Sequence, residues 1–347
     1  MEDRSQEVLG KYNFIVYSTY RTRGAYVLDT DQGLKLLCSY EGGEGRVEFE
    51  DTIKRQLIQR GYENVDALVR TSAGNLFSIN SVGEKYVIRD WFDGDECNLK
   101  KEDKVLLASS NLAILHNCMS HMDLTQEQVT INLQNDLNAV MEKRTRELKR
   151  VKSYIRERKQ KNEFEICYLS VCEDFYKDAL LALEQLKELP YAQMMEKARK
   201  DCLVCHGSYT YHNILMLKED VAKSYCKAAQ LGWNQEIATT NFDQAECGLQ
   251  IVDLYYFIRK VMEKNDWDIK LGMSIINEYE KYHCISPNDM KLLSVLLLYP
   301  EKFWKVTNYY YNSKKSWIPQ KNVQKLMVLS GQMECKKNFL KRLIGSC

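Results

Sequence analysis

The segment 202–213 brings together most of the side chains that could take part in chemistry. Cys202, Cys205 and His206 have the C-x-x-C-H spacing of covalent haem attachment. Two thiols this close could also hold zinc, but zinc needs a second ligand pair, and none follows at suitable spacing. Both cysteines lie in an apolar run that is typical of a strand. These metal interpretations are therefore weaker than one that uses the second half of the segment.

The second half has the spacing of a phosphoryl-transfer loop. In kinase-type phosphotransferases a His precedes the catalytic base, and an Asn five residues after the base binds magnesium. Here His206 precedes Ser208, and Asn213 follows Ser208 by five positions. A later apolar segment ends at Asn241 and Asp243, where such enzymes carry a metal-binding Asp. The pattern predicts a catalytic loop followed by a metal loop.

Two of these positions lack the chemistry that phosphoryl transfer needs. A carboxylate must accept the proton of the attacking hydroxyl, and Ser208 is far too weak a base near neutral pH. Asn241 is a neutral ligand where magnesium prefers a carboxylate. Two alternatives stay open: Ser208 is a turn residue in a shifted loop, or Asp243 supplies a single metal carboxylate. His206 and His212 are interpreted as loop-packing residues.

The elements that must position these residues fall into two lobes. Residues 1–93 contain strand signals separated by turns, and the hairpin turn Asp29–Gly33 is the clearest of them. Phe49, Ile53 and Leu57 have helical spacing, so a helix is predicted over residues 46–60. The predicted strands cover residues 13–20, 25–28, 34–40, 76–80 and 85–91. This order predicts a five-stranded antiparallel sheet with one helix laid on it.

From residue 94 to residue 347 the hydrophobic residues recur mostly at helical spacing. A small β insertion interrupts these helices, and it carries the catalytic-loop equivalent (201–216) and the metal-loop equivalent (239–245). The predicted helical segments cover residues 99–116, 125–161, 164–186, 249–263, 269–282, 289–298 and 320–344. The predicted fold class is α+β, with a small antiparallel β lobe and a larger helical lobe.

The composition is that of a globular protein of about two domains. The chain has 347 residues, of which 45% are hydrophobic, and its formal net charge is +1, so no global field holds polyanions or membranes. No secretory signal is visible, and the densest apolar stretch, 292–299, is far shorter than the roughly twenty residues of a membrane helix. The 12 cysteines are therefore expected to be reduced, mostly as small core residues.

Two local runs are strongly basic. Docking to an acidic partner and a merely solvated helix face both remain open, since neither run has the dense aromatic interleaving of a single-strand binding groove. The acidic residues number three in 141–162 and two in 301–347. The basic residues are Lys143, Arg144, Arg146, Lys149, Arg150, Lys152, Arg156, Arg158, Lys159 and Lys161 in the first run, and Lys302, Lys305, Lys314, Lys315, Lys321, Lys325, Lys336, Lys337, Lys341 and Arg342 in the second.

Several further motifs, taken in order, carry a family resemblance. They are Arg23-Gly24, Asp29-Thr30, the segment 86–94, the segment 112–116, the loop at 206–215, and the segments 299–305 and 308–312. Together they resemble the CotS family of spore coat proteins over nearly the whole length. That family shares the bilobed fold of aminoglycoside phosphotransferases and kinases, so the resemblance implies this fold here.

The resemblance also implies where a nucleotide site would lie. It places Glu50 and the hinge residue Trp91 in that site and expects a phosphate-binding Lys in the third strand, where this chain has Cys38. Lys35 is three positions away and should point to the opposite face of the sheet. No G-x-G-x-x-G motif lies between the first two strands. A misaligned strand that hides the lysine is the remaining alternative.

The function implied by the resemblance is structural. The chain is expected to be a catalytically degenerate coat component that needs no cofactor. It would be made in the mother-cell cytoplasm and then deposited on the spore, with other coat proteins as partners, docked through 141–162 and 301–347, and without nucleic acid or membrane insertion. The alternative is an ATP-dependent phosphotransferase that uses ATP and magnesium on a small hydroxylated or amino substrate.

Overall fold

A six-stranded antiparallel sheet forms the N-terminal part of the computed structural model, which describes residues 3–218, 236–312 and 319–345. The strand order is β1-β2-β3-β6-β4, with β5 also paired to β6. The strands are β1 Val16–Thr22, β2 Ala25–Thr30, β3 Gly33–Ser39, β4 Leu68–Val69, β5 Ser78–Ile79 and β6 Lys85–Asp90. The prediction of five strands is wrong by one, because β4 has two residues and is too short to show alternation.

Alternation along β3 defines the two faces of this sheet. Leu36 and Cys38 lie on the face that packs towards the following helix, whereas Leu37 lies on the other face against Val8 and Tyr12. Between β1 and β2, Gly24 has φ +76°, which glycine adopts without steric cost. The sheet is therefore apolar on both faces, with a short N-terminal segment covering one and a helix covering the other.

The helix predicted over residues 46–60 is observed as α2, Glu44–Gln59. Phe49, Ile53 and Leu57 are fully buried and belong to the same apolar cluster as residues of the C-terminal helices. The one helix of the sheet region is thus anchored in the main core of the protein. This anchoring matters for the site, because α2 also carries several charged side chains inward.

Helices dominate the remainder of the chain, and polar caps set their starts. The polar run 125–161 contains two helices, since Thr125 caps α4 and Asp136 caps α5, and Asn162 then caps α6. The helices are α1 Asp3–Gln6, α3 Glu102–Cys118, α4 Gln126–Ile131, α5 Leu137–Glu157, α6 Glu163–Glu188, α7 Tyr191–Lys200, α8 Ile251–Lys264, α9 Ile269–Glu280, α10 Pro287–Leu298, α11 Glu301–Asn312, α12 Pro319–Gly331 and α13 Met333–Ile344, with a 3-10 helix at Leu9–Lys11. Within the described residues, none of these helices is both long and apolar enough to cross a bilayer.

In the described residues, the predicted β insertion and the segment at 94–96 form five short strands. They are β7 Gly94–Glu96, β8 Val204–Cys205, β9 Ile214–Leu217, β10 Ile237–Thr239 and β11 Glu246–Cys247. β9 pairs with both β7 and β10, and β8 pairs with β11. The loop 206–213 therefore joins β8 to β9, and the loop 240–245 joins β10 to β11. Pairing of these strands brings the two predicted chemical loops together.

Candidate functional site

A buried carboxylate holds the first turn of the loop 206–213. Asp253 of α8 accepts hydrogen bonds from the backbone N–H groups of His206 (2.6 Å) and Gly207 (2.9 Å). Gly207 has φ +72°, and a Cβ there would lie 1.9 Å from the carbonyl oxygen of Gln244. The loop 206–213 and the loop 240–245 are thus in backbone contact, and only glycine fits at the point where they meet.

Ser208 lies where the sequence pattern expects a catalytic base, but among the described residues no neighbouring group is placed to take the proton of its hydroxyl. Its Oγ accepts a hydrogen bond from Nδ2 of Asn213 (3.1 Å), which also donates to the Ser208 carbonyl (2.8 Å). The backbone N–H of Ser208 donates to Nδ1 of His206 (3.2 Å), so this imidazole nitrogen does not face the hydroxyl. Ser208 and Asn213, five positions apart, are therefore in direct contact. Their hydrogen bonds hold the loop in place and do not activate the Ser208 hydroxyl.

His206 packs inside the protein, between the loops 206–213 and 240–245. It is fully buried, its ring centre lies 4.4 Å from that of Phe242, and its Nε2 donates to the carbonyl of Thr240 (3.1 Å). Because Nδ1 accepts from Ser208, the proton must sit on Nε2, which is the neutral tautomer. Burial lowers the pKa of His206 and favours this neutral form.

The loop 240–245, the metal-loop equivalent, carries a single carboxylate, that of Asp243. Asn241 has φ +64°, a conformation that Asn tolerates better than most residues, and its N–H donates to Oδ2 of Asp66 (2.9 Å). The carbonyl of Asp243 accepts two hydrogen bonds from the guanidinium of Arg46 (2.8 and 2.6 Å). Across the described ranges, no group of three His, Cys, Asp or Glu side chains could hold a metal ion.

The third strand places Cys38 on the inner face of the sheet and Lys35 on the outer one, as its spacing predicts. Lys35 pairs with Asp90 (2.5 Å) next to the hinge. Cys38 lies beside the guanidinium of Arg89, and burial raises the pKa of its thiol. The hinge residue Trp91 is half-buried and packs between the sheet and the short strands around β9.

The inner face of the sheet holds a buried cluster of four charges, Glu50, Lys54, Asp66 and Arg89, called the ion cluster below. Lys54 Nζ lies 2.6 Å from Glu50 and 2.7 Å from Asp66. Arg89 donates two hydrogen bonds of 3.1 Å to the two Glu50 oxygens. No member of the ion cluster has a side chain more than 7% exposed. Two cations and two carboxylates thus neutralise one another out of contact with water.

Electrostatics inside the ion cluster favour the ionised form of Glu50. Burial alone raises the pKa of Glu50, but Lys54 and Arg89 outweigh it and lower the pKa well below the usual range of a carboxyl group. The cluster also touches the metal-loop equivalent, because Asp66 holds Asn241 and the ammonium of Lys54 lies 5.5 Å from the Phe242 ring. Glu50 is therefore an internal counter-ion, not a group exposed to a cofactor.

Two arginines bridge the sheet region and the helical region. Arg23, in the β1–β2 turn, donates to Glu96 (3.0 Å) and contacts His212, which itself lies 2.9 Å from Glu96. Arg46 of α2 contacts Asp243, as described above, and Asn132 (2.7 Å). These contacts join the sheet region to the helical region near the loops 206–213 and 240–245.

The sequence reasoning missed Lys54, Asp66, Arg89 and Arg46. One signal was available, since Lys54 follows Glu50 by four residues on a predicted helix, where opposite charges meet. Arg89 and Asp66 had none, because their pairing depends on how β6 and the segment after α2 approach the helix. Part of the second basic run is also corrected: Lys336 is turned inward, bonds the Leu298 carbonyl (3.0 Å), and burial lowers its pKa to about 8.

Comparison with solved structures gives the fold. The chain is similar to an aminoglycoside phosphotransferase from Alicyclobacillus acidocaldarius subsp. acidocaldarius, with a TM-score of 0.83 and 16% identity over 98% of this chain and 95% of that one. It is also similar to the AMP-bound spectinomycin phosphotransferase (TM-score 0.69, 11% identity, 96% of both chains). An amicoumacin kinase in complex with AMP-PNP and Ca²⁺ gives a TM-score of 0.57 at 11% identity over 97% and 94%.

No family model and no curated protein matches this chain. The structural similarities establish that the chain has the aminoglycoside phosphotransferase and kinase-like fold, with a sheet-rich N-terminal part and a larger helical part. The predicted fold class is confirmed.

Proposed function

We propose that this protein is a catalytically degenerate member of the kinase-like fold with a structural role in a bacterial spore coat. The kinase-like fold is established by the comparisons. The coat role is supported by the resemblance of its ordered motifs to the CotS family. It would be made in the mother-cell cytoplasm and deposited on the spore, bound to other coat proteins and not to nucleic acid or membrane.

The ion cluster is the single observation that carries the degenerate part of this proposal. Phosphoryl transfer needs cations that are free to neutralise the charge of the phosphates. Lys54 and Arg89 are instead buried inside the fold, with side chains no more than 7% exposed, so they cannot reach the phosphates of a nucleotide. The neutral residues at Cys38, Ser208 and Asn241 supply none of the charges that the reaction requires. We therefore expect no cofactor.

The test is a thermal-shift titration with ATP and magnesium or manganese. A ligand at ten times its dissociation constant stabilises the native state by about 1.4 kcal/mol, which is a visible shift. We expect no metal-dependent shift at millimolar ATP for the unmodified protein. A reproducible rise of several degrees in melting temperature that disappears with EDTA contradicts the hypothesis that the protein is catalytically degenerate.

The second candidate is an ATP-dependent phosphotransferase that acts on a small hydroxylated or amino substrate. One observation favours it: a cavity of about 110 Å³ is lined in part by Arg144, Tyr256 and Glu246, and Glu246 belongs to β11. Glu246 is paired with Cys205 of β8, just before the loop 206–213, and burial raises its pKa. Carboxyl and phenol groups of this kind suit hydroxyl or amine ligands.

Turnover decides between the two candidates. The phosphotransferase requires ATP consumption by the unmodified protein that Ser208→Ala abolishes, because Ser208 occupies the base position. The degenerate protein should show none, and Ser208→Asp alone should not create activity, since Asn241 stays neutral and Cys38 supplies no phosphate-binding cation. ADP release measured for the three proteins separates these outcomes.

A further inference from the structure

The two basic runs, distant in sequence, meet on one surface. Helix α11 packs beside α5: Arg144 pairs with Glu301 and stacks over the Trp304 ring at 4.2 Å, and Trp304 Nε1 donates to Glu147 (2.7 Å). Farther along the same seam, the rings of Tyr154 and Tyr311 meet edge to face at 5.8 Å. The runs 141–162 and 301–312 therefore form a single face.

The cations of this face point outward. Lys143 and Arg150 lie four residues before and three after Glu147, which places both on the face that adjoins Trp304, and both are exposed. Lys305 follows Trp304 on α11 and is 46% exposed. We call Lys143, Arg150, Tyr154, Lys305 and Tyr309 the α5–α11 surface.

Two carboxylates of the same region point inward, whereas Glu157 is exposed. Glu301 is 3% exposed and is held by Arg144 from α5 and by Lys305 from its own helix. Glu165 is fully buried and pairs with Arg158. In the described part of the chain, no carboxylate lies within ion-pairing distance of Lys143 or Arg150. The face thus shows net positive charge although the whole chain is almost neutral.

Aromatic side chains stand among these cations. Tyr154 and Tyr309 are 51% and 50% exposed, and the ammonium of Lys325 on α12 lies 5.8 Å from the Tyr309 ring. Arginine and tyrosine dominate the energetic centres of protein interfaces, because they combine large contact area with hydrogen bonding. Lys314 and Lys315, which adjoin these tyrosines in sequence, lie outside the described residues.

We infer that the α5–α11 surface is one docking site for an acidic segment of another protein. This inference rests on the proposed function, which needs such contacts for coat assembly, and it replaces two separate basic faces with one. An acidic protein segment fits better than a nucleic acid, because two exposed tyrosines do not make the dense aromatic platform of a single-strand binding groove, and a net charge of +1 gives no wider positive field for a long phosphate backbone. The tyrosines supply contact area that a peptide can use.

The experiment measures binding of fluorescently labelled poly-L-glutamate to the full-length protein at low ionic strength. The test variant carries Lys143→Glu, Arg150→Glu and Lys305→Glu. A matched control carries Lys197→Glu, Lys270→Glu and Lys291→Glu, which are exposed lysines on other helices and change the net charge equally. We expect the test variant to bind at least about tenfold more weakly, since three exposed charge contacts are each lost, and the control to bind within about twofold of the unmodified protein.

Three outcomes would overturn the inference. Equal losses in both variants would mean that bulk charge alone attracts the probe. Tighter binding of poly(U) RNA than of polyglutamate would identify a nucleic-acid face, and no polyglutamate binding by the unmodified protein would leave a solvated helix face. Thermal unfolding of each variant verifies that it is folded. Nucleotide is absent throughout, so failure here leaves the ATP test of the proposed function intact, and the converse also holds.

Discussion

The ion cluster and the α5–α11 surface contain the same kinds of side chain in opposite situations. In the ion cluster, Lys54 and Arg89 are buried and each touches a carboxylate. On the α5–α11 surface, Lys143 and Arg150 are exposed, with no carboxylate at ion-pairing distance among the described residues. Burial decides the role: a buried cation must be matched within the fold, whereas an exposed one is available to a partner.

The comparison is tested most strongly by removing one charge from each region. Glu50→Ala leaves Lys54 and Arg89 buried with only Asp66 to balance them, and breaking a buried pair in this way costs about 3–5 kcal/mol. Arg150→Ala should change the free energy of unfolding by less than about 0.5 kcal/mol, as is usual for exposed positions. Urea denaturation of both variants measures the difference. Similar costs for the two substitutions would contradict the assignment of separate roles.

Acid should weaken the ion cluster, because Glu50 must be ionised to balance its two cations. The pKa of Glu50 is lowered from 4.5 to about 2 in the folded protein. A carboxyl group with a depressed folded pKa contributes stability that is complete above its unfolded pKa and is lost as the pH falls towards the folded value. The stability advantage of the unmodified protein over Glu50→Gln should therefore be constant above about pH 4.5 and shrink between about pH 4.5 and 2.

Urea midpoints across this pH range give the measurement. The matched control is Glu196→Gln, which changes an exposed carboxylate on α7. Its curve should run parallel to that of the unmodified protein. If the curve of Glu50→Gln is also parallel, Glu50 is not stabilised as an anion in the native state.

Local sequence patterns predicted the helix α2, the two faces of β3 and the contact inside the loop 206–213. Helical spacing located α2, and the five-residue spacing of Ser208 and Asn213 is a direct contact in the structure. Alternation along β3 correctly separated Lys35 from Cys38, since successive side chains of a strand point to opposite faces. Each of these features depends on residues close together in the chain.

The ion cluster could not be predicted in this way. Asp66 and Arg89 follow Glu50 by 16 and 39 positions, and only the packing of the sheet on α2 brings them to it. For the same reason, the sequence does not show which side chains of the basic runs turn inward. Arg144 and Lys336 occur in similar sequence surroundings to Arg150, yet they are held inside by Glu301 and Leu298.

Arg46 is less buried than the ion cluster and less exposed than the α5–α11 surface. Its removal should therefore have an intermediate effect on the free energy of unfolding. It is half-buried, and its guanidinium donates to the Asp243 carbonyl and to Asn132, which joins α2 to the loop 240–245. Arg46→Ala leaves these acceptors without that donor, so we expect a loss of about 1–3 kcal/mol. The matched control is Arg55→Ala on the same helix, whose side chain is 58% exposed.

The two variants should differ both in the free energy of unfolding and in the region where amide hydrogen exchange changes. Arg55→Ala should cost less than about 1 kcal/mol, since an exposed ion pair contributes little and Arg70 also holds Asp51. Arg46→Ala should also speed amide hydrogen exchange in the loop 240–245, while exchange in α5 and α11 stays unchanged. Faster exchange in α5 as well would mean that the small lobe and the α5–α11 surface are coupled. Docking on that surface could then be transmitted to the ion cluster, and the two sets of cations would form one system.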